Sequence, residues 1–226
     1  MTAAPGLDEG LEVLRRADPT GVALPDGTPG RLAAYLALLA KWNRTYNLTA
    51  IREPERMVTH HLLDALAVLP HLPARAGLRV LDVGSGAGIP GIPLAIARPA
   101  WQVVMLDSNH KKGAFVRQAA IELALANAEA VVGRVEDYAP AAPFDVVISR
   151  AFADLATFAA SSARHLAPQG QLFAMKGVHP DEEIAGLPAG IRVVAAHALA
   201  VPGLDARRHL IVMTRDAGDT GRREAA

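Results

Sequence analysis

Residues 82–91 read DVGSGAGIPG, and two glycine templates overlap inside this stretch. Gly84, Gly86 and Gly88 give G-x-G-x-G behind an aspartate, whereas Gly86, Gly88 and Gly91 give the dinucleotide fingerprint G-x-G-x-x-G. The first suits S-adenosylmethionine and the second a nicotinamide or flavin. Both require a buried strand that ends in a glycine turn, so that backbone amides and a following helix can approach a ligand closely. They differ in charge. A pyrophosphate needs open amides and no nearby carboxylate, while the methyl donor carries an ammonium, a carboxylate and a positive sulfonium. Asp82, near the strand end, would repel the former and attract the cationic amino-acid end of the latter. Pro90 also removes one amide from the turn a dinucleotide would need. The stretch favours the methyl donor over a dinucleotide and over a ligand-free turn.

Working outward, RVLDVG is a short apolar run ending in glycine, and WQVVMLD is a second run stopped by Asp107. Asp107 lies 23 positions after Gly84, close to the ~20 expected of a ribose-binding acid. A strand-end aspartate that merely starts a turn in DSNH is the plainer alternative. Pro90 to Arg98 can form a short helix, and KKGAFVRQAAIELALAN has helical period. AEAVVG, FDVVISRA, GQLFAMKG, IRVVAAHALA and RHLIVMTR read as further strands. After the third strand, in VVGRVEDY, Glu136 or Asp137 is placed to accept from a cofactor's exocyclic amine, unless either is a solvated loop charge. Strands alternating with helices predict a mainly parallel α/β sheet with helices on both faces.

The first part of the chain is helical in pattern. Leu7, Leu11 and Leu14 recur at helical spacing, as do Leu32, Leu36 and Leu39, and Pro54 suits a first helical turn. The expected organisation is a helical region at 1–75 packed on a core at 76–215, with a frayed tail at 216–226.

Composition bounds the rest. The chain has 226 residues, 51% hydrophobic and 20% charged, which suits a folded soluble core. It has no cysteine, so disulfides and thiolate metal sites are excluded. The N-terminus lacks the layout of a signal peptide, and no apolar run approaches the roughly 18 residues of a membrane span. A cytoplasmic protein is expected. Lysine plus arginine balances aspartate plus glutamate at 23 each, so a nucleic-acid partner would have to be met by a local basic patch.

Taken in order, KWNRTYNLTAIREPERMVTHHLLDAL, VLDVGSGAGIPGIPLAIARP, VISRAFADL, MKG and RRHLIV resemble the bacterial small-subunit ribosomal RNA methyltransferase G family, also called glucose-inhibited division protein B. The resemblance runs from about Leu32 to Thr214, and WNxxYNLT, GIPGIPLAI and ISRAF are its particular motifs. It implies a Rossmann-like class I methyltransferase that moves a methyl group from S-adenosylmethionine to N7 of a guanine in 16S ribosomal RNA. By similarity, cofactor contacts fall at Gly84, Ile89, Val135, Glu136 and Arg150, to which the residue reading adds Asp82, Gly86, Gly88 and Asp107. Where the family has Arg or Lys before the histidine of an HxxDS-like segment, this chain has the pair His60-His61, and Ala65 replaces the serine. A neutral imidazole at position 60 would hold phosphate weakly at pH 7.

Guanine N7 carries an in-plane lone pair, so no proton must leave before methyl transfer and no general base is nominated. The expected RNA contacts are His60, His61, Lys111, Lys112, Arg117, Lys176, Arg207, Arg208 and His209, with Phe152 the candidate for stacking on guanine. Aromatics are scarce at 4%, against an extended stacking platform. The histidines show no metal-ligand spacing, and adjacent His60 and His61 diverge on a helix. The expected partner is 16S RNA or a small-subunit particle, bound by a monomer without DNA or membrane. The alternatives are a small-molecule methyltransferase, a non-catalytic assembly factor that senses S-adenosylmethionine, and a nicotinamide oxidoreductase.

Overall fold

A computed structural model describes residues 6–17 and 24–216. A seven-stranded sheet runs in the order β3-β2-β1-β4-β5-β7-β6. The strands are β1 (Arg79–Val83), β2 (Gln102–Asp107), β3 (Ala128–Val132), β4 (Phe144–Arg150), β5 (Leu166–Lys176), β6 (Ile191–Ala198) and β7 (His209–Arg215). β1 pairs parallel with β2 and β4, β2 with β3, and β4 with β5. β7 is antiparallel to both β5 and β6, so the last two strands form a hairpin on the parallel sheet.

The central strands are apolar on both faces, as a parallel sheet covered on two sides requires. Val80 and Ile148 face one cluster, shared with the N-terminal helices, whereas Leu81, Val83 and Val147 face a second. The first face is covered by α5 (Gly91–Ala97) and α6 (His110–Glu122), and the second by α7 (Leu155–Ser162) through Leu155, Phe158 and Ala159. α6 starts where the Asn109 side chain accepts the Lys111 and Lys112 amides at 2.9 and 3.3 Å, an N-cap worth about 1 kcal/mol. A short α8 (Asp181–Ala185) follows β5. Between β3 and β4 the chain makes only turns, without a regular helix.

Ahead of the sheet come α1 (Leu7–Ala17) and α2 (Thr28–Tyr46). Leu32, Tyr35, Leu36, Leu39 and Asn43 form the buried stripe of α2 at helical spacing. The helix ends at Asn47, in the left-handed region at φ 50°. The next helix is interrupted. α3 (Pro54–Met57) passes into a π-helical turn, Val58–Leu63, before α4 (Asp64–Leu66) restores the α pattern. Of the tail expected to fray, Asp216 donates its N–H to the Gly190 carbonyl at 2.8 Å, and 217–226 lie outside the described residues.

One contact ties the first helices to the loop after β1. The Tyr35 hydroxyl, wholly buried on α2, donates to the Ala87 carbonyl at 2.7 Å. Tyr35→Phe keeps the ring packed on Phe115 but strips a buried carbonyl of its donor. It is expected to cost about 1–3 kcal/mol of stability in thermal or denaturant unfolding. A loss below about 0.5 kcal/mol would mean that the loop does not depend on this bond.

Candidate active site

Strand order reverses between β1 and β4, and the crevice at the carboxyl ends of strands flanking such a point is where open α/β sheets bind ligands. The loop after β1 meets it from one side. Gly84, Gly86 and Gly88 have φ of 68°, 59° and 80°, a left-handed set that side chains with a Cβ resist. At Gly88 a Cβ would also lie 2.7 Å from Ile92. Gly91 differs. Its φ is not positive, but a Cβ there would fall 2.4 Å from Met105 and 2.9 Å from the Asp82 carboxylate, so it is a close-packing glycine at the start of α5.

Two carboxylates hold this loop. Asp107 accepts the Gly86 N–H on Oδ2 and the Asn109 N–H on Oδ1, both at 2.8 Å. Asp107 thus starts the turn into Asn109, the plainer of its two sequence readings, and also lines the neighbouring cleft. Asp82 is fully buried and accepts the Gly91 N–H at 2.8 Å through Oδ2, while Oδ1 has no hydrogen-bond partner. Burial pushes its carboxyl up to about 7, against the Gly91 hydrogen bond and the Arg150 charge, which pull it down.

A cleft of about 390 Å³ opens beside the loop, and Gly84, Asp107, Lys112, Val135, Glu136 and Phe152 are among its lining residues. The Phe152 ring stands over Gly84 and packs on Phe158 with centroids 5.5 Å apart. It follows Ala151, a non-glycine residue at φ 62°, so the turn that aims Phe152 is strained. The 135–138 segment is fixed from behind. Arg164 Nη2 donates to the Val135 and Tyr138 carbonyls at 3.0 Å each and to that of Glu136, and His165 Nε2 lies 3.0 Å from the Val135 oxygen. Arg164 had no sequence signal, because it acts across 28 positions of chain on main-chain oxygens.

Ile89 is buried in the core and does not line the cleft. Arg150 ends β4, and its Nη1 donates to the His60 carbonyl at 2.7 Å and to Asp64 at 3.2 Å. The cleft suits a ligand with hydroxyls for the Asp107 lone pairs and a flat group against the 135–136 backbone. Its lining includes two carboxylates, each paired with a cation, Asp107 with Lys112 at 3.9 Å and Glu136 with Arg134 at 3.7 Å.

Similarity to known proteins agrees with this geometry. The family described as rRNA small subunit methyltransferase G matches residues 30–211. The chain is 53% identical over 207 residues to a Pseudomonas paraeruginosa protein named ribosomal RNA small subunit methyltransferase G, covering 91% of this chain and 95% of that one. A Burkholderia thailandensis protein of the same name is 56% identical over 216 residues, covering 93% and 90%. The chain belongs to the rRNA small subunit methyltransferase G family. Among solved structures, the glycopeptide N-methyltransferase MtfA with S-adenosyl-L-homocysteine superposes with a TM-score of 0.59 at 16% identity, covering 69% of this chain and 90% of that one. An Aquifex aeolicus SAM-dependent methyltransferase gives 0.53 at 21%, covering 71% and 93%. At such identities they speak for the fold alone, the class I methyltransferase architecture.

The expected RNA contacts fare unevenly. Lys111, Arg117 and Arg207 are exposed. Lys112 turns toward the cleft, its Nζ 3.9 Å from Asp107. Lys176 is bound to Glu183 at 2.7 Å, Arg208 to Asp64 at 2.9 Å, and His209 Nδ1 to the Gly177 carbonyl at 3.0 Å, so all three have protein partners. His60 lines a different cleft, shared with Glu9, Glu55 and Arg56, and its Nδ1 lies 3.0 Å from the Arg56 carbonyl. His61 is a correction. It is buried among core residues, with Nε2 on the Thr49 hydroxyl at 2.9 Å, and burial with the nearby Arg150 charge pulls it down to about 4. It is neutral at pH 7 and meets no phosphate. Its contact explains part of WNxxYNLT instead. Asn43 grips the Thr49 backbone with both side-chain atoms, at 3.0 and 2.9 Å, and so presents the Thr49 hydroxyl to His61.

Asp82 and His61 make opposed contributions to stability. The raised Asp82 favours the folded state below its unfolded value and loses that advantage as pH climbs toward about 7. The depressed His61 contributes fully above its unfolded value and loses it as pH falls toward about 4. Each is of order 3 kcal/mol, so they offset in the window between. In Asp82→Asn, stability should rise with pH from about 4 to 6.5, and in His61→Gln it should fall from about 4 to 7. Melting temperatures across this range decide it, and parallel profiles in the two variants would refute the assignment.

Proposed function

We propose that the protein transfers a methyl group from S-adenosylmethionine to N7 of a guanine in 16S ribosomal RNA, by direct in-line displacement. The observation that carries this reading is the left-handed glycine loop held by Asp107 beside the cleft, in a chain of this family. S-adenosylmethionine supplies an electrophilic methyl on a positively charged sulfur. The chain's residues bind, orient and exclude water. Asp107 keeps lone pairs for the ribose hydroxyls, and the Val135-Glu136 backbone meets the base of the donor. Gly84 lets the donor lie close to the main chain, and the buried Asp82, which does not line the cleft, holds the turn through the Gly91 N–H. Phe152 walls the cleft where the guanine enters.

N7 presents its own lone pair, so the site needs no general base, and none is assigned. The positive charge passes with the methyl group from the sulfonium to the guanine ring, and the C–S electron pair returns to sulfur, so S-adenosylhomocysteine leaves as a neutral thioether. The exposed cations Lys111, Arg117 and Arg207 are the best placed to meet RNA phosphates. The protein is read as a cytoplasmic monomer acting on 16S RNA or a small-subunit particle. No helix among the described residues is long and apolar enough to cross a membrane.

Tritiated methyl incorporation into 16S RNA and into 30S particles, with mapping of the methylated nucleotide, tests the assignment. Tight donor binding without incorporation would favour an assembly factor instead. Asp107→Ala should weaken binding of S-adenosylhomocysteine at least tenfold in calorimetry, about 1.4 kcal/mol, and leave RNA affinity intact. Equal donor affinity would place Asp107 outside the ribose site. Replacing Lys111 and Arg117 together by alanine should lower the log–log salt slope of RNA binding by about one for each phosphate that these side chains neutralise. An unchanged slope would return both to an ordinary solvated helix face.

A further inference from the structure

Val135 and Glu136 line the cleft from a stretch of chain that no helix or strand supports. Two neighbouring side chains fix it, both on a single 3-10 turn, Ala163–His165, between α7 and β5. Arg164 Nη2 donates to the Val135 and Tyr138 carbonyls at 3.0 Å each and also to the Glu136 carbonyl. His165 Nε2 stands 3.0 Å from the same Val135 oxygen. A carbonyl can only accept, so Nε2 carries the proton. His165 is buried, and burial pulls its pKa down, so at neutral pH this is the only N–H of the ring.

Both lone pairs of the Val135 oxygen are thereby used, and the direction of its peptide unit is set. That peptide is trans, so the Glu136 N–H points opposite to the Val135 carbonyl. The Asp137 and Tyr138 N–H groups close on the Arg134 carbonyl at 3.1 Å each, whereas the Glu136 N–H meets no protein acceptor among the described residues. The clamp holds the segment from outside the cleft. Arg164 lines a separate cleft, with Ala160 and Arg215, while Val135 and Glu136 line the one beside the glycine loop.

We propose that Arg164 and His165 are positioning residues for the choice of base. By taking the carbonyls of Val135, Glu136 and Tyr138 they turn the Glu136 N–H toward the cleft, where it donates to a ring nitrogen of the donor's adenine. An unclamped loop would offer N–H and C=O alike, and the ligand would bear the cost of ordering it. With these carbonyls already bonded, the segment is set before the ligand arrives, and it presents a donor to an in-plane lone pair. The proposal rests on the reading of this cleft as the donor site, and makes the recognition of the base depend on a side chain outside it.

Calorimetric titration of the full chain with S-adenosylhomocysteine and its 1-deaza, 3-deaza and 7-deaza analogues tests it, since each analogue replaces one ring nitrogen by C–H. One analogue is expected to bind the unaltered protein about tenfold more weakly than S-adenosylhomocysteine, through loss of one hydrogen bond. Arg164→Ala, a change at an exposed side chain, should shrink that difference to about threefold, because His165 still holds the Val135 carbonyl. Adding His165→Phe, which keeps a ring against Tyr138, should erase it in protein shown by thermal melts to be folded. A difference that stays tenfold in Arg164→Ala would overturn the proposal even where all four ligands lose affinity alike, because a merely structural role weakens every ligand equally. Equal binding of all four ligands by the unaltered protein would overturn it too, while leaving the donor site standing. Failure to bind S-adenosylhomocysteine at all would remove the donor site, and the proposal with it.

Discussion

The loop after β1 exists because two carboxylates, on adjacent parallel strands, accept amides that a ligand-binding turn would otherwise leave exposed. Asp107 takes the Gly86 N–H and Asp82 takes the Gly91 N–H. The in-register pairing of β1 with β2, in which Asp82 lies opposite Met105 and Val83 opposite Leu106, brings both acids under the same turn. Three left-handed glycines at alternate positions can then follow a short path back into α5. Remove the register and Asp107 no longer reaches the Gly86 amide. Much else is arranged around this anchor, from the Tyr35 hydroxyl on Ala87 to the Phe152 ring over Gly84.

The electrostatics of the site follow from the same arrangement. Asp82 is held in the interior with one oxygen unpartnered, a state costly for an anion and suited to a cation placed nearby. Asp107 stays at the cleft wall with Lys112 at 3.9 Å. Glu136, the other carboxylate of the cleft, is likewise paired, with Arg134 at 3.7 Å. The chemistry asks for little more, because the nucleophile brings its own lone pair.

Much of this was legible in the residues. The apolar runs ending at Gly84 and Asp107, the period of α6 and the strand-helix alternation rest on local patterns, which survive in any tertiary context that buries them. The distinction between Gly88 and Gly91 was partly legible too, since prolines flank the latter. The candidate RNA contacts were less so. His61, Lys176 and Arg208 look alike in sequence as cations, yet one is buried and neutral and two are bound to carboxylates. A charge read from the chain says nothing of the partner that neutralises it.

The sequence by itself determined the sheet class, the glycine loop, the acid at the second strand end and the family, because each is encoded within a few dozen contiguous residues. Only the tertiary structure decided that β7 runs antiparallel, that Arg164 clamps the 135–138 backbone, and that Asp64 joins Arg150 to Arg208 across 86 and 144 positions of chain. Those contacts depend on which surfaces meet once the core has closed, and no local period records them. DVGSGAGIPG could therefore be read as a loop and as a family mark. The buried carboxylates that hold it were visible only as letters until the strands aligned.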